Sequence, residues 1–323
     1  MRNTRTVNCA RQLIVLLICV PFMALSAPPT GFIVDDIARP DGNNWGSVVG
    51  VTFANDGTMF AYERTGTIWL VDENNTTPNP SAQPVLDISD EVGGWRDFGL
   101  LGVALDPNFL TNGYIYLLYV VDRHHLMNCS EQASGEGSPS CNSNYNSSTN
   151  EYFNATIGRV TRYTMDVNNN FITDYTSRKV LLGESIDKGI PILHQSHGTG
   201  QLVFGTDGTL LGSTGDGASY SSTDTGSASE TYYAQALTDG IIRQAENVGA
   251  YRSQMLSSFN GKLFRIDPAT GDGLASNPFY DPTAPRSVQS RVWALGLRNP
   301  FRITHRPETG SHDPADGNPG TIY

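Results

Sequence analysis

The sequence predicts an all-β fold, a β-propeller, on three observations. Glycine is abundant, at 33 of 323 residues, while only 16% of the chain is charged and long helical periods are scarce. Such a composition suits short strands joined by many turns. A unit then recurs along the chain: a glycine, an alternating strand, a turn carrying Asp or Asn with Gly, and a second strand. A β-sandwich also has short strands and regular turns, but it need not repeat itself, whereas radially arranged sheets do.

The first copy is GVTFANDGTMFAYERTGTIWLVDEN, from Gly50. The second is GVALDPNFLTNGYIYLLYV from Gly102, completed by GRVTRYTMDVNNNF from Gly158. The third is GQLVFGTDGTLLGSTGD from Gly200, completed by GKLFRIDPATGDG from Gly261. A fourth starts with GLRNPFRITHRPETG at Gly296, and Gly320 to Tyr323 read as the opening of one more strand. About four blades are therefore expected. Because a propeller closes its ring to remove free sheet edges, the sequence reads as an incomplete propeller truncated at its C-terminus.

The third copy carries the chemistry. Leu202 and Phe204 lead into Thr206-Asp207-Gly208, and Leu210 and Leu211 lead out. Asp-Gly between two apolar runs is a hairpin signal, since the turn needs a positive φ that glycine adopts at little cost. A hairpin brings its outer ends together, so His197 and Asp216 are expected to be neighbours. A carboxylate beside an imidazole fixes its tautomer and raises its basicity, as a general base requires. A histidine tied to backbone at a strand end and a turn-capping aspartate are the plainer alternatives. Asp207, Gly208, Asp267, Pro268, Asp272 and Gly273 read as structural turn residues, and His194 as lining the loop. Arg252 and Gln254 are expected to reach the cleft from the second of two insertions, residues 123–157 and 217–258. The stretch from Ala234 to Met255 within that insertion is expected to include short helices.

Arg2, Arg5 and Arg11 precede an apolar run, Leu13 to Ala24, that is too short to span a bilayer. Small residues follow, so residues 1–26 read as a secretory signal and residues 27–323 as the exported, partial propeller domain. No later segment is apolar enough for membrane insertion. The formal net charge of −11 becomes more acidic once the three signal arginines are removed, which argues against nucleic acid and anionic membranes as partners. Cys9 and Cys19 fall in the signal; Cys129 and Cys141 remain and read as a disulfide in an oxidising compartment. His124 and His125 lie close by without metal-ligand spacing. Sequons at Asn74, Asn75, Asn128, Asn146 and Asn154 mark expected surface loops. No G-x-G-x-x-G opens a helix after a strand, there is no Walker A lysine motif or H-E-x-x-H, and Ser196 lacks the G-x-S-x-G elbow.

Four segments carry a family resemblance: FGLLGVALDPNFLTNGYIYLLYV, HGTGQLVFGTDGTLLGSTGDGASY, NGKLFRIDPATGDGLASNPFYD and SRVWALGLRNPFR. In this order and spacing the chain resembles the soluble quinoprotein glucose/sorbosone dehydrogenases, the PQQ-dependent aldose sugar dehydrogenases. The resemblance implies a six-bladed propeller with pyrroloquinoline quinone across its central opening and calcium helping to hold and polarise it. It implies that His197 takes the proton of the sugar C1 hydroxyl, that Asp216 orients His197, and that Arg298 and Asn299 contact the quinone. Arginine suits that place because it stabilises negative charge developing on a quinone oxygen. Where the family carries Gln or Glu facing the cofactor, this chain offers Asp97. Calcium ligands are expected beyond LGLRNP; the segment from His312 to Gly317 has oxygen donors but reads as a turn, so the metal residues stay unassigned. The expected partners are a sugar substrate and an external electron acceptor. The competing reading is a non-catalytic secreted propeller that binds a carbohydrate or protein partner. A calcium-dependent lactonase would need a ring of Asp, Asn and Glu that the sequence does not display.

Overall fold

A computed structural model describes residues 29–32, 36–71, 78–129 and 153–323. The chain divides into two compact units, Met1–Ile37 and Ala38–Tyr323, and the architecture below is that of the second. The expected signal at residues 1–26 lies outside the described residues, as do Cys141 and the sequons at Asn74, Asn75 and Asn146. No helix among the described residues is long and apolar enough to cross a membrane.

Three antiparallel sheets follow one another along the chain, each with its strands in sequence order. The first blade contains β1 (Val48–Phe53), β2 (Met59–Glu63), β3 (Thr67–Val71) and β4 (Leu86–Asp87). The second contains β5 (Leu100–Leu105), β6 (Tyr114–Val120), β7 (Thr156–Asp166) and β8 (Ile172–Leu182), with the short β9 (Ile190–Ile192) also paired to β7. The third contains β10 (Thr199–Phe204), β11 (Leu210–Thr214), β12 (Lys262–Ile266) and β13 (Val292–Leu295). First strands adjoin: β5 packs beside β1 on one flank and β10 on the other. This is the blade order of a propeller, in which the first strand of each meander lines the axis. The fourth repeat contributes a single bridge between His305 and Ile322, so the described residues build three complete sheets and the beginning of a fourth, in line with the unfinished fourth copy in the sequence.

The apolar run of β6 shows what holds the blades together. Ile115, Leu117 and Tyr119 enter one core with Phe60, Ile68 and Leu86 of the first blade. Tyr116, Leu118 and Val120, on the opposite face, enter a second core with Leu202, Leu210 and Phe264 of the third. Alternate side chains of one strand thus serve two interfaces, which explains why YIYLLYV is apolar throughout rather than at every second residue.

Buried charges tie the blades at fixed points. Glu91, between the first two blades, accepts from Arg159 Nη1 at 2.6 Å and Arg178 Nη2 at 2.7 Å. Asp207 in the β10–β11 turn accepts from Arg265 Nη2 at 2.7 Å, with both side chains fully buried, and also from the backbone and hydroxyl of Thr209. Gly208 has φ of 73° in this turn, the conformation the hairpin demanded. Asp207 is therefore structural, and Asp267 likewise caps its turn by accepting from the backbone of Ala269 and Thr270.

The insertions pack over the blades. The expected helical stretch is a helix at Tyr233–Asp239 followed by 3-10 turns at Gln244–Glu246 and Gly249–Gln254. Arg123, in the helix Arg123–Asn128 that opens the first insertion, donates to Asp239 at 2.7 Å and so links the two insertions.

Candidate functional site

First strands of successive blades run in the same sense about the axis, so residues just before them collect at one end. Asp97 precedes β5, and His197 precedes β10. Arg298 and Asn299 precede the segment Phe301 to His305, which opens the fourth repeat. Three separate motifs are thereby brought to the same end of the propeller.

The hairpin closes as its sequence requires. Leu202 pairs with Gly212, Val203 with Leu211 and Phe204 with Leu210. At the open end Gly217 N–H donates to the His197 carbonyl at 3.0 Å, and Gly215 N–H donates to the Gly198 carbonyl. A Cβ on Gly215 would lie 2.5 Å from the His197 carbonyl group, so the GD segment approaches His197 only with glycine there. His197 itself has φ of 60°, the left-handed region that is uncommon outside glycine, although Asn, Asp and His enter it more readily than other residues. Such strain is characteristic of positions held by their surroundings.

Within this frame His197 Nδ1 lies 2.9 Å from Asp216 Oδ1, with side-chain exposures of 4% and 6%. An ionised carboxylate only accepts, so Nδ1 carries the proton and Nε2 keeps its lone pair. The Ala218 N–H donates to the same Oδ1 at 3.0 Å. The Asp216 N–H donates to the carbonyl of Arg298 at 2.8 Å, which anchors the LGLRNP segment directly beside the imidazole–carboxylate pair.

The remaining candidates fall into two groups. Arg298, Asn299 and Asp97 are exposed, and the side chains of Arg298 and Asn299 make no hydrogen bond or ion pair among the described residues. They are available to a ligand. Arg252 is 1% exposed and does not reach the cleft: its guanidinium donates to the carbonyls of Asp216, Gly217 and Glu246. Gln254 is exposed and lies against Gly296. The corrected placement of Arg252 has a simple cause. The 3-10 turn at Gly249–Gln254 runs behind the Asp216 loop, a direction that residue type alone does not encode.

Two further buried groups, His194 and Lys262, lie near the pair without hydrogen-bonding to its side chains, and no sequence signal marks their burial. His194 is buried, its ring edge-on to Tyr220 at 5.0 Å, and Tyr220 Oη accepts from Gln195 Nε2 at 2.9 Å. Burial lowers the His194 pKa from its ordinary 6.5, with nearby His197 adding to the effect. The sign follows from proton uptake. A base whose folded value is depressed gives stability that is complete above the unfolded value of 6.5 and is lost as pH falls through the folded value. His194→Gln is expected to lose less Tm than the parent between about pH 7.5 and about pH 5; equal losses would contradict this account. Lys262 is fully buried, and burial pushes its pKa down to about 7.

No group of three metal-ligating side chains occurs among the described residues, and no calcium ligand is assigned. Asp313 accepts from the Ala315 N–H and caps a short turn at Pro314–Asp316, in line with the turn reading of that segment. Cys129 ends the helix Arg123–Asn128, and its expected partner Cys141 lies outside the described residues.

Comparison with known proteins gives relatives in two groups. The HIPL2 protein of Arabidopsis thaliana is 27% identical over 309 residues, covering 86% of this chain and 37% of that protein. The human Hedgehog-interacting protein is 28% identical over 268 residues, covering 79% of this chain and 29% of that protein. The chain thus spans about a third of the length of these curated relatives. Among solved structures, a putative oxidoreductase (glucose dehydrogenase) from Thermus thermophilus is 24% identical with a TM-score of 0.48, covering 81% of this chain and 55% of that one. The PQQ-bound aldose sugar dehydrogenase of Streptomyces coelicolor is 20% identical with a TM-score of 0.46, covering 82% and 55% of the two chains. The family model described as Glucose / Sorbosone dehydrogenase matches residues 46–312, a span holding all three blades and every residue of the site above, and the chain belongs to that family.

Proposed function

We propose that this chain carries the catalytic centre of a quinone-dependent oxidoreductase that oxidises the C1 hydroxyl of an aldose sugar. The observation that carries the reading is the buried His197–Asp216 pair at 2.9 Å, hydrogen-bonded through Asp216 to the backbone of the Arg298-Asn299 segment. Family membership supports the reaction class.

The donor set fits the quinone. Arg298 and Asn299 present an unengaged guanidinium and amide beside the base, suited to the oxygens of a flat anionic ring. Pyrroloquinoline quinone, when bound, accepts the hydride from C1. His197 Nε2 takes the hydroxyl proton, and Asp216 stabilises the imidazolium that results. Burial of both side chains keeps water from competing for that proton. Arg298 holds positive charge where negative charge develops on the acceptor. An external acceptor would be needed to reoxidise the cofactor. Asp97, at the same end of the propeller, would be a further polar contact to the quinone. Calcium belongs to the proposal without assigned ligands. The same reading includes export directed by residues 1–26 and a Cys129–Cys141 disulfide.

Titration with pyrroloquinoline quinone, followed by visible absorption, tests the site. Arg298→Met is expected to weaken binding at least ~10-fold, the scale of one charged hydrogen bond. Equal affinity in parent and variant would remove Arg298 from the site. A second reading, a propeller that binds a protein or carbohydrate without catalysis, is favoured by the likeness to the Hedgehog-interacting protein. It predicts no spectral change on adding the quinone.

A further inference from the structure

Two buried basic side chains stand behind the His197–Asp216 pair, and the proton transfer just described uses neither. Arg252 donates from Nε to the Asp216 carbonyl at 3.3 Å, from Nη2 to the Gly217 carbonyl at 2.9 Å and from Nη1 to the Glu246 carbonyl at 3.2 Å. Lys262, the first residue of β12, donates from Nζ to the carbonyls of Arg252 at 3.0 Å, Ser253 at 2.9 Å and Asn260 at 2.7 Å. Neither is within ion-pair distance of a carboxylate among the described residues, and both are almost wholly buried. Asp224, Asp216 and Glu246 attract the Arg252 guanidinium from beyond contact distance, yet burial of both long polar side chains is costly, and main-chain carbonyls alone could be satisfied by neutral donors.

Their placement gives the reason. Asp216 is held at three points. Its N–H donates to the Arg298 carbonyl, its own carbonyl accepts from Arg252, and its Oδ1 accepts from His197 Nδ1 and the Ala218 N–H. Lys262 fixes the backbone of the turn from which Arg252 reaches, and Arg252 fixes the backbone of Asp216. The imidazole therefore faces a carboxylate whose main chain is clamped from the far side by the donors of Arg252. We infer that Arg252 and Lys262 are positioning residues that form a buried donor brace, holding Asp216 in the orientation that keeps the His197 proton on Nδ1. The inference rests on the reading of His197 as the base, but it concerns the tautomer and order of the imidazole, which are measurable with neither quinone nor sugar.

The test is NMR of the full-length protein labelled with nitrogen-15 histidine. The Nδ1–H resonance of His197 is assigned by its loss in His197→Gln. Arg252→Met and Lys262→Met are each expected to speed its exchange with water at least ~10-fold, the equivalent of one hydrogen bond. Arg252→Lys, which restores the charge and a donor, is expected to recover part of the protection. Arg265→Lys perturbs an equally buried ion pair elsewhere in the third blade; it is expected to lower Tm and leave the His197 resonance in place. Unchanged exchange in both methionine variants would overturn the inference, as would an equal change in Arg265→Lys. If the methionine variants do not fold, Arg252→Gln and Lys262→Gln, which remove the charge and are too short to reach the same carbonyls, carry the same readout, and parental exchange in both would overturn it. Absence of sugar oxidation would count against the dehydrogenase reading while leaving this result to stand by itself.

Discussion

His197→Ala is expected to lower sugar-dependent turnover by at least ~100-fold, with quinone affinity near that of the parent. Geometry is the reason. Nδ1 is committed to Asp216 Oδ1 at 2.9 Å, so Nε2 is the basic atom, and 4% side-chain exposure keeps bulk water from replacing it. The other histidine in this region, His194, has its pKa lowered by burial and packs edge-on against Tyr220. His194→Gln is therefore the control that retains most of the activity. Alanine at position 197 must hold the same φ of 60°, which it tolerates less readily than histidine, so His197→Asn, which enters this region readily, serves as the companion variant. Steady-state kinetics at matched folded concentration make the measurement. A loss below about 10-fold would mean that another group takes the proton.

The largest expected effect on stability lies in the turn of the same hairpin. Asp207→Ala leaves the Arg265 guanidinium buried without its carboxylate, and removing one partner of such a pair costs ~3–5 kcal/mol. Thr209 loses its acceptor in the same step. Against a domain stability of roughly 5–15 kcal/mol, this is enough to populate unfolded protein near physiological temperature. Asp267→Ala removes only an exposed turn cap, and a change of about 1 kcal/mol or less is expected. Urea unfolding of the two variants separates the cases. A cost below about 1 kcal/mol for Asp207→Ala would show that Arg265 finds other support from its remaining partners, Ser276, Asn277 and the carbonyl of Pro314.

Much of this arrangement was legible in the sequence, for local reasons. Asp207-Gly208 specifies its own turn, and the turn sets which residues face each other, so the meeting of His197 and Asp216 followed from residues 19 apart. Repeated units revealed the blades because each blade is one contiguous meander. Other features depend on what packs against a segment and were not legible. The two-sided burial of β6 is indistinguishable in sequence from any apolar run. The brace of Arg252 and Lys262 comes from an insertion and a strand start whose side chains meet only main-chain carbonyls, and carbonyls carry no residue signature. Arg252 was accordingly expected to line the cleft, whereas it supports the cleft from behind. The fourth repeat showed its glycine and LRNP segment but formed only the bridge between His305 and Ile322.

Reconstitution with pyrroloquinoline quinone and calcium, followed by reduction of an artificial acceptor with a panel of aldoses, tests the central claim most directly. The expected result is acceptor reduction that requires both the quinone and a sugar with a free C1 hydroxyl, and that disappears in His197→Ala. A quinone-loaded protein that reduces no acceptor with any aldose, or one whose rate is indifferent to His197, would contradict it.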